Sequence, residues 1–235
     1  MNISIIVPHF NESGNLIILT KRISKLVKNC RYEIIFINDG STVSYSQEYH
    51  NIKKIHNDVT FIKHNKNLGQ SLSIRTGIQN AKYDNILTMD ADNQNNPEDI
   101  DRLIKFYNDN SLDIICGQRV KRNDKFSKRI ASKIANAIRK FLLDDKCDDT
   151  GCSLKLFKKK FYEKIPFFIN NHRYFPALFI REGCKIDFIN VSHNERLLGK
   201  SKYNNFKRFF EGVFDLIGVI WLLRRSKKVI IQNED

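Results

Sequence analysis

A chain of 235 residues with 41% hydrophobic side chains can bury the core of one large domain, or of one domain with an appendage. Its net charge of +14 points to an anionic partner such as a nucleotide, a nucleic acid or an acidic lipid surface. The five cysteines are scattered and form no C-x-x-C pair. They read as reduced thiols of a cytosolic protein rather than a disulfide scaffold, and Cys147 with Cys152 lacks the second pair that a metal site needs.

The start, Met1 to Val7, lacks a basic leader region and runs directly into a strand pattern, so no signal peptide is expected. Apolar runs at Ile3–Val7, Glu33–Asn38, Val59–Lys63, Ile86–Met89 and Asp113–Cys116 predict short strands. Helical patterns fall between them near Asn15–Val27, Tyr45–Ile55, Gln70–Asn80 and Pro97–Tyr107. Asn96 before Pro97, Glu98 and Asp99 is a strong helix start. This α/β alternation predicts a mostly parallel sheet with helices on both faces. Farther on, the pattern gives a helix from about Lys125 to Lys140, a helix near Arg173–Arg181, a strand near Lys185–Val191 and a long last element, Tyr203–Arg225.

In sheets of this kind, ligands bind outside the carboxyl ends of the strands. Three motifs are predicted there: Pro8-His9-Phe10-Asn11-Glu12, Asn38-Asp39-Gly40-Ser41 and Asp90-Ala91-Asp92-Asn93-Gln94. In extended backbone, Asp90, Asp92 and Gln94 project the same way, so their oxygens can converge on a Mg²⁺ or Mn²⁺ ion beside a nucleotide. Glu12 could reach a base edge, and Asp39 a base or ribose, with Gly40 permitting close backbone approach. Each motif has a plainer reading, as a loop, a tight turn or a solvated strand end. Their convergence is what favours a site. His9, His172 and His193 lie near motif loops and read as packing or hydrogen-bonding residues.

These motifs, together with Asn67-Leu68-Gly69-Gln70 and Pro97-Glu98, resemble in order the motif series of glycosyltransferase family 2. Within it the chain is most similar to polyprenyl-phosphate glycosyltransferases of the dolichol-phosphate mannose synthase type. The similarity is carried by Asp149–Lys155 (D-T-G-C-S-L-K), His172–Leu178 (H-R-Y-F-P-A-L) and Arg196–Tyr203 (R-L-L-G-K-S-K-Y). Two motifs depart from the pattern: Asn38 replaces an acid, and Asn95-Asn96 stands where His-Pro is usual.

The resemblance implies a GT-A fold, with a Rossmann-like, mostly parallel sheet flanked by helices. It also implies a GDP- or UDP-linked sugar donor, a divalent metal and inversion at the anomeric carbon. It places donor binding on Pro8, Asn11, Glu12, Asp39, Asn67, Gly69 and Asp90, and the metal on Asp92 and Gln94. Acceptor or phosphate contacts fall on Arg119, Arg129, Arg196, Lys200, Ser201 and Lys202, and catalytic roles on Asp90, Asp149 and Arg119. The expected division is a nucleotide-sugar half over 1–118, an acceptor half over 119–202, and an amphipathic helix with a basic tail over 203–235.

Sugar transfer builds negative charge on the departing diphosphate, so cations matter more than covalent chemistry. Arg119 to Lys140 carries nine Lys or Arg and one Asp. If the acceptor is a polyprenyl phosphate, its oxygen is already ionised and no strong base is needed. A saccharide hydroxyl acceptor, the alternative, would need one.

Phe206, Phe209, Phe210, Val213, Phe214, Ile217, Ile220 and Trp221 recur at helical spacing, interrupted by Lys207, Arg208, Glu211 and Asp215. No stretch reaches the roughly 18 apolar residues of a span. With Arg224, Arg225, Lys227 and Lys228 beside Trp221, this element reads as an interfacial anchor on an anionic cytoplasmic leaflet, or else as a core or dimer-interface helix. A homo-oligomer stays open on this reading. A nucleic-acid module is disfavoured, because the basic tract lacks interleaved aromatics and no helix-turn-helix or zinc pattern occurs.

Overall fold

The computed structural model describes residues 1–28, 30–119, 136–194 and 205–225, with 205–210 described as backbone only. The first half follows the predicted alternation closely: β1 (Asn2–His9), α1 (Asn15–Leu26), β2 (Arg31–Asn38), α2 (Ser46–Ile55), β3 (Val59–Lys63), α3 (Gln70–Gln79), β4 (Asn85–Thr88), α4 (Glu98–Asp109) and β5 (Ile114–Arg119). Then come α5 (helical over the described residues 136–143), β6 (Lys155–Lys158), α6 (Lys159–Tyr162), a 3₁₀ turn (Asn171–Tyr174), α7 (Phe175–Arg181), β7 (Ile186–Val191) and α8 (Asn205–Arg224). The 125–135 part of the expected basic helix lies outside the described residues.

The seven strands are ordered β3-β2-β1-β4-β6-β5-β7. All neighbours are parallel except β6, which runs antiparallel to both β4 and β5. This strand is the main addition to the sequence reading. Lys155-Leu-Phe-Lys is too short and too charged at its ends to announce itself, yet Leu156 and Phe157 are fully buried in the middle of the sheet. Its direction has a consequence for the site. Because β6 is reversed, its start lies beside the carboxyl end of β4, through the pair Thr88 and Lys155. The preceding segment, Asp149 to Leu154, is thereby delivered to the acidic cluster.

Two apolar layers sandwich the sheet. On one face, Leu16, Leu19 and Ile23 of α1, Ile52 of α2, and Ile100, Leu103 and Ile104 of α4 pack on Ile3, Ile5, Val7, Ile34 and Phe36. On the other, Ile74 and Ile78 of α3, Phe175, Leu178 and Phe179 of α7, and Val219 of α8 pack on Ile6, Ile35, Ile37, Ile86 and Phe157. Burying each such side chain contributes roughly 1.5–3 kcal/mol. All five cysteines carry free thiols, and burial raises Cys152 to about 11 and Cys184 to about 12, so both stay protonated.

The strand order reverses at β1, which has β2 on one side and β4 on the other. The loops that follow β1 and β4 therefore part, leaving a crevice at the carboxyl ends of the strands.

Candidate active site

A cavity of about 510 Å³ fills that crevice. Its wall contains Pro8, Glu12, Asp39, Asn67, Gly69, Asp90, Asp92 and Gln94, eight of the residues singled out from sequence, all from the first half of the chain. The lining is completed by Gly151, Asn170, His172 and Arg173 of the second half, with Gln70 and Ser73 of α3.

One side of the cavity is built from strand ends that brace one another. Asp39 is buried, and it accepts hydrogen bonds from the Leu68 amide (2.9 Å), the Gly69 amide (2.8 Å) and His64 Nδ1 (2.9 Å). Its carboxylate thus holds the Asn67–Gly69 loop as well as lining the cavity. Gly40 has φ +71°, and an added Cβ would lie 2.3 Å from the Lys66 carbonyl carbon, so only glycine fits this turn. The close approach read from sequence is therefore made by the chain's own 66–67 segment. Asn11, also in the left-handed region (φ 55°), is absent from the cavity wall. Its side-chain oxygen accepts from Thr42 N (3.0 Å) and its amide donates to Ser41 Oγ (2.9 Å), binding the first motif to the second. Asn38, the departure from the acidic pattern, is buried and accepts from the Ser41 amide (2.8 Å). Glu12 donates its amide to Tyr45 Oη (2.7 Å). His9 packs against Tyr45 and Tyr49, and burial lowers its imidazole to about 4, so the ring is neutral near pH 7.

The acidic cluster forms the floor. Asp90 accepts from Gln70 Nε2 (2.8 Å), and its amide donates to Asn95 Oδ1 and Ser153 Oγ, each at 3.1 Å. Ser153 Oγ donates to Asn95 Oδ1 (2.8 Å), and Thr88 Oγ1 donates to the Ser153 carbonyl (2.6 Å). Asn95, the second departure, is thus a buried bracket between the cluster and the loop that β6 delivers. Burial, and then the Asp92 carboxylate, raise Asp90 to about 6. Two carboxylates that repel each other in a buried floor, with the Gln94 side chain in the same lining, offer hard oxygens that could hold Mg²⁺ or Mn²⁺ with positions left for phosphate oxygens. Among the described residues, no group of three His, Cys, Asp or Glu side chains could hold an ion alone. His193 lies close by: its Nε2 is 3.4 Å from Gln94 Nε2, and the Asn194 amide donates to the Gln94 carbonyl (2.9 Å). Nothing in the chain around His193 signals this approach, since β7 brings it from 99 residues away.

Behind Gly151 stands the pair Arg119–Asp149. Arg119 Nε donates to Asp149 Oδ2 (2.6 Å) and Nη2 to Oδ1 (2.8 Å), a bidentate fork that is mostly buried. Burial works against the guanidinium charge, but Asp149 outweighs it and holds Arg119 firmly protonated. A Cβ on Gly151 would lie 2.8 Å from Arg119 Nη2, so glycine leaves the arginine its place behind the wall. Neither Arg119 nor Asp149 is among the residues that line the cavity. Arg129, Arg196, Lys200, Ser201 and Lys202 lie outside the described residues.

The far wall was only partly legible. His172 Nδ1 is 2.6 Å from Ser71 Oγ, which ties the 3₁₀ turn to α3. Asn170 Nδ2 donates to Asp215 Oδ2 (3.0 Å) and Tyr174 Oη donates to the Gly212 carbonyl (3.2 Å), which tie the same turn to α8. One face of α8 buries Val219 in the core, while Phe214 and Trp221 on the other are 74% and 61% exposed. Phe141 of α5 is 87% exposed. Among the described residues, no helix is long and apolar enough to cross a membrane.

Residues 4–166 match the family model for glycosyl transferase family 2. The chain is 29% identical over 232 residues to a dodecaprenyl-phosphate galacturonate synthase of Rhizobium johnstonii, covering 95% of this chain and 68% of that one. It is 31% identical over 221 residues to an undecaprenyl-phosphate 4-deoxy-4-formamido-L-arabinose transferase of Photorhabdus laumondii, covering 92% and 66%. The chain thus spans about two thirds of the length of these relatives. The fold is shared with glucosyl-3-phosphoglycerate synthase of Mycobacterium tuberculosis, solved with Mn²⁺ and UDP (TM-score 0.67, 14% identity, 94% of this chain and 79% of that one). It is also shared with the mannosyltransferase PcManGT of Pyrobaculum calidifontis, solved with GDP-Man and Mn²⁺ (TM-score 0.66, 16% identity, 97% and 65%). The sheet is that of the GT-A fold, and the chain belongs to glycosyl transferase family 2.

Proposed function

We propose that this protein moves a sugar, with inversion, from a GDP- or UDP-linked donor to a polyprenyl phosphate at a membrane surface. The observation that carries this reading is the single cavity in which Pro8, Glu12, Asp39, Asn67 and Gly69 stand on one side of Asp90, Asp92 and Gln94. The first group is suited to a nucleoside, and the second to a cation beside its phosphates. The kind of acceptor is supported by two relatives that are named for polyprenyl-phosphate chemistry.

On this reading, Asp92 and Gln94, with His193 near at hand, would hold Mg²⁺ or Mn²⁺. When bound, the ion neutralises the charge that develops on the diphosphate. Asp90, fixed by Gln70 and by the Ser153–Asn95 bracket, orients the donor sugar. An oxygen of the acceptor phosphate forms the new bond to the anomeric carbon from one side. The bond to the diphosphate oxygen breaks on the other, and the electron pair leaves with the nucleotide. Arg119, clamped by Asp149, supplies a fixed positive charge beside the far wall, and Arg129, Arg196, Lys200, Ser201 and Lys202 are assigned to seating phosphates. The exposed apolar faces of α5 and α8 would rest on the cytoplasmic face of an anionic bilayer.

Incubation of the full chain with radiolabelled UDP- and GDP-sugars, Mn²⁺ and either undecaprenyl phosphate in vesicles or an oligosaccharide tests the proposal. Label in the lipid extract that requires the vesicle-borne phosphate is expected. Label only in the oligosaccharide would overturn the acceptor assignment.

A further inference from the structure

The first turn of α1 has a side chain that its helix does not need. Gly14 caps α1 in the left-handed region (φ 81°) without a side-chain bond. The amides of Gly14 and Ile17 are taken by the Glu48 carboxylate of α2, each at 3.0 Å. Asn15 is nevertheless 1% exposed, and its amide faces elsewhere. Its Nδ2 donates to Glu12 Oε2 (2.7 Å), while its Oδ1 (3.2 Å) and its main-chain carbonyl (3.0 Å) both accept from Asn93 Nδ2.

Asn93 is the residue between Asp92 and Gln94. It is buried and adopts φ 61°, a conformation that asparagine tolerates better than most residues. Rotation about its backbone would swing Gln94 relative to Asp92. Two turns along the same face of α1, Arg22 donates to the Asn93 carbonyl (3.3 Å) and to Asn96 Oδ1 (3.0 Å). The acidic turn is therefore gripped from α1 at three points, and one of these grips continues directly to Glu12 on the nucleotide wall.

We propose that Asn15 is a positioning residue that locks the Asp92-Asn93-Gln94 turn to Glu12, so that metal and nucleotide bind cooperatively through its amide. This rests on the transferase reading above. A purely structural asparagine would lower stability and leave the coupling alone. Binding coupling is reciprocal, so it can be read from either ligand.

The test measures the dissociation constants of UDP and GDP by calorimetry, with and without Mn²⁺, on the full chain. Wild type is expected to bind one nucleotide more tightly when Mn²⁺ is present. Asn15→Ala should cut that enhancement about tenfold, the scale of losing a residue that orients a metal ligand. Asn93→Gly keeps the left-handed freedom and loses only the amide, so it should cut the enhancement equally, and the double variant should be no worse than either single one. It also carries the test if Asn15→Ala does not fold. Wild-type coupling in either single variant, additive losses in the double variant, or a wild type without coupling would overturn the inference alone. A wild type that binds neither nucleotide with Mn²⁺ would overturn the transferase reading and the inference with it.

Discussion

The two walls of the cavity are built on different principles. On the strand-end side, residues satisfy one another: Asp39 holds the 67–69 loop, Asn11 the 41–42 turn, and Asn15 and Arg22 the acidic turn. Such a wall is organised before any ligand arrives, and it costs no reorganisation on binding. The far wall is short and irregular, and it leans on helices whose outer faces expose Phe141, Phe214 and Trp221. The Arg119–Asp149 ion pair backs it, and ties to α3 and α8 hold it in place. The contrast teaches that one side of the cavity is braced by a dense set of hydrogen bonds among strand ends and α1, whereas the other is held by a few ties to α3 and α8.

The ion pair is where this contrast is most exposed to test. Arg119→Ala takes the guanidinium away from the buried Asp149 carboxylate, and the expected loss is about 3–5 kcal/mol in urea unfolding. Asp149→Asn in the same background should recover part of it. A loss below about 1 kcal/mol would mean that the far wall does not depend on the pair. Asp92→Ala should act on the other principle: kcat/KM falls about a hundredfold to a thousandfold while the melting temperature barely moves. Wild-type turnover in that variant would remove the acidic floor from the chemistry.

A pH experiment addresses the preorganised side. His9 titrates at about 4 in the fold against 6.5 in the open chain, so the unfolded state binds more protons between these values. Its contribution, up to about 3 kcal/mol, is complete above pH 6.5 and is lost as pH falls towards 4. The unfolding free energies of wild type and His9→Asn should therefore converge as pH falls through this window. Parallel curves would show that His9 burial does not help to hold that wall. The smallest effect is expected at the outer face. Phe214→Ser and Trp221→Ser should each weaken co-sedimentation with anionic vesicles about tenfold or more, from roughly 1.5–3 kcal/mol of lost burial, without changing stability. Unchanged sedimentation would leave the two walls differing in architecture but not in partner.

How much of this was legible in the sequence follows the same division. The five strands of the first half and their end motifs stand out because apolar runs and turn residues are local signals, and eight of the chosen residues line one cavity. The sequence could not say that Asp39 serves the amides of residues 68 and 69, or that Asn15 reaches Asn93 across 78 positions. It could not say that His193 comes within 3.4 Å of Gln94. Those are facts of topology. The same holds for β6: four residues with lysines at both ends carry no strand signal, yet the strand's reversal is what joins Ser153 to the acidic cluster.

The ties from Asn170 and Tyr174 to α8 give the outer helix a geometrical duty. A helix face resting on a bilayer would hand its height and tilt directly to the cavity rim, because only a few rigid bonds separate the two. The protein would then work as a gauge, setting how far a headgroup must rise from the membrane plane to meet the sugar. Lipids whose phosphates sit deeper would be refused by distance alone.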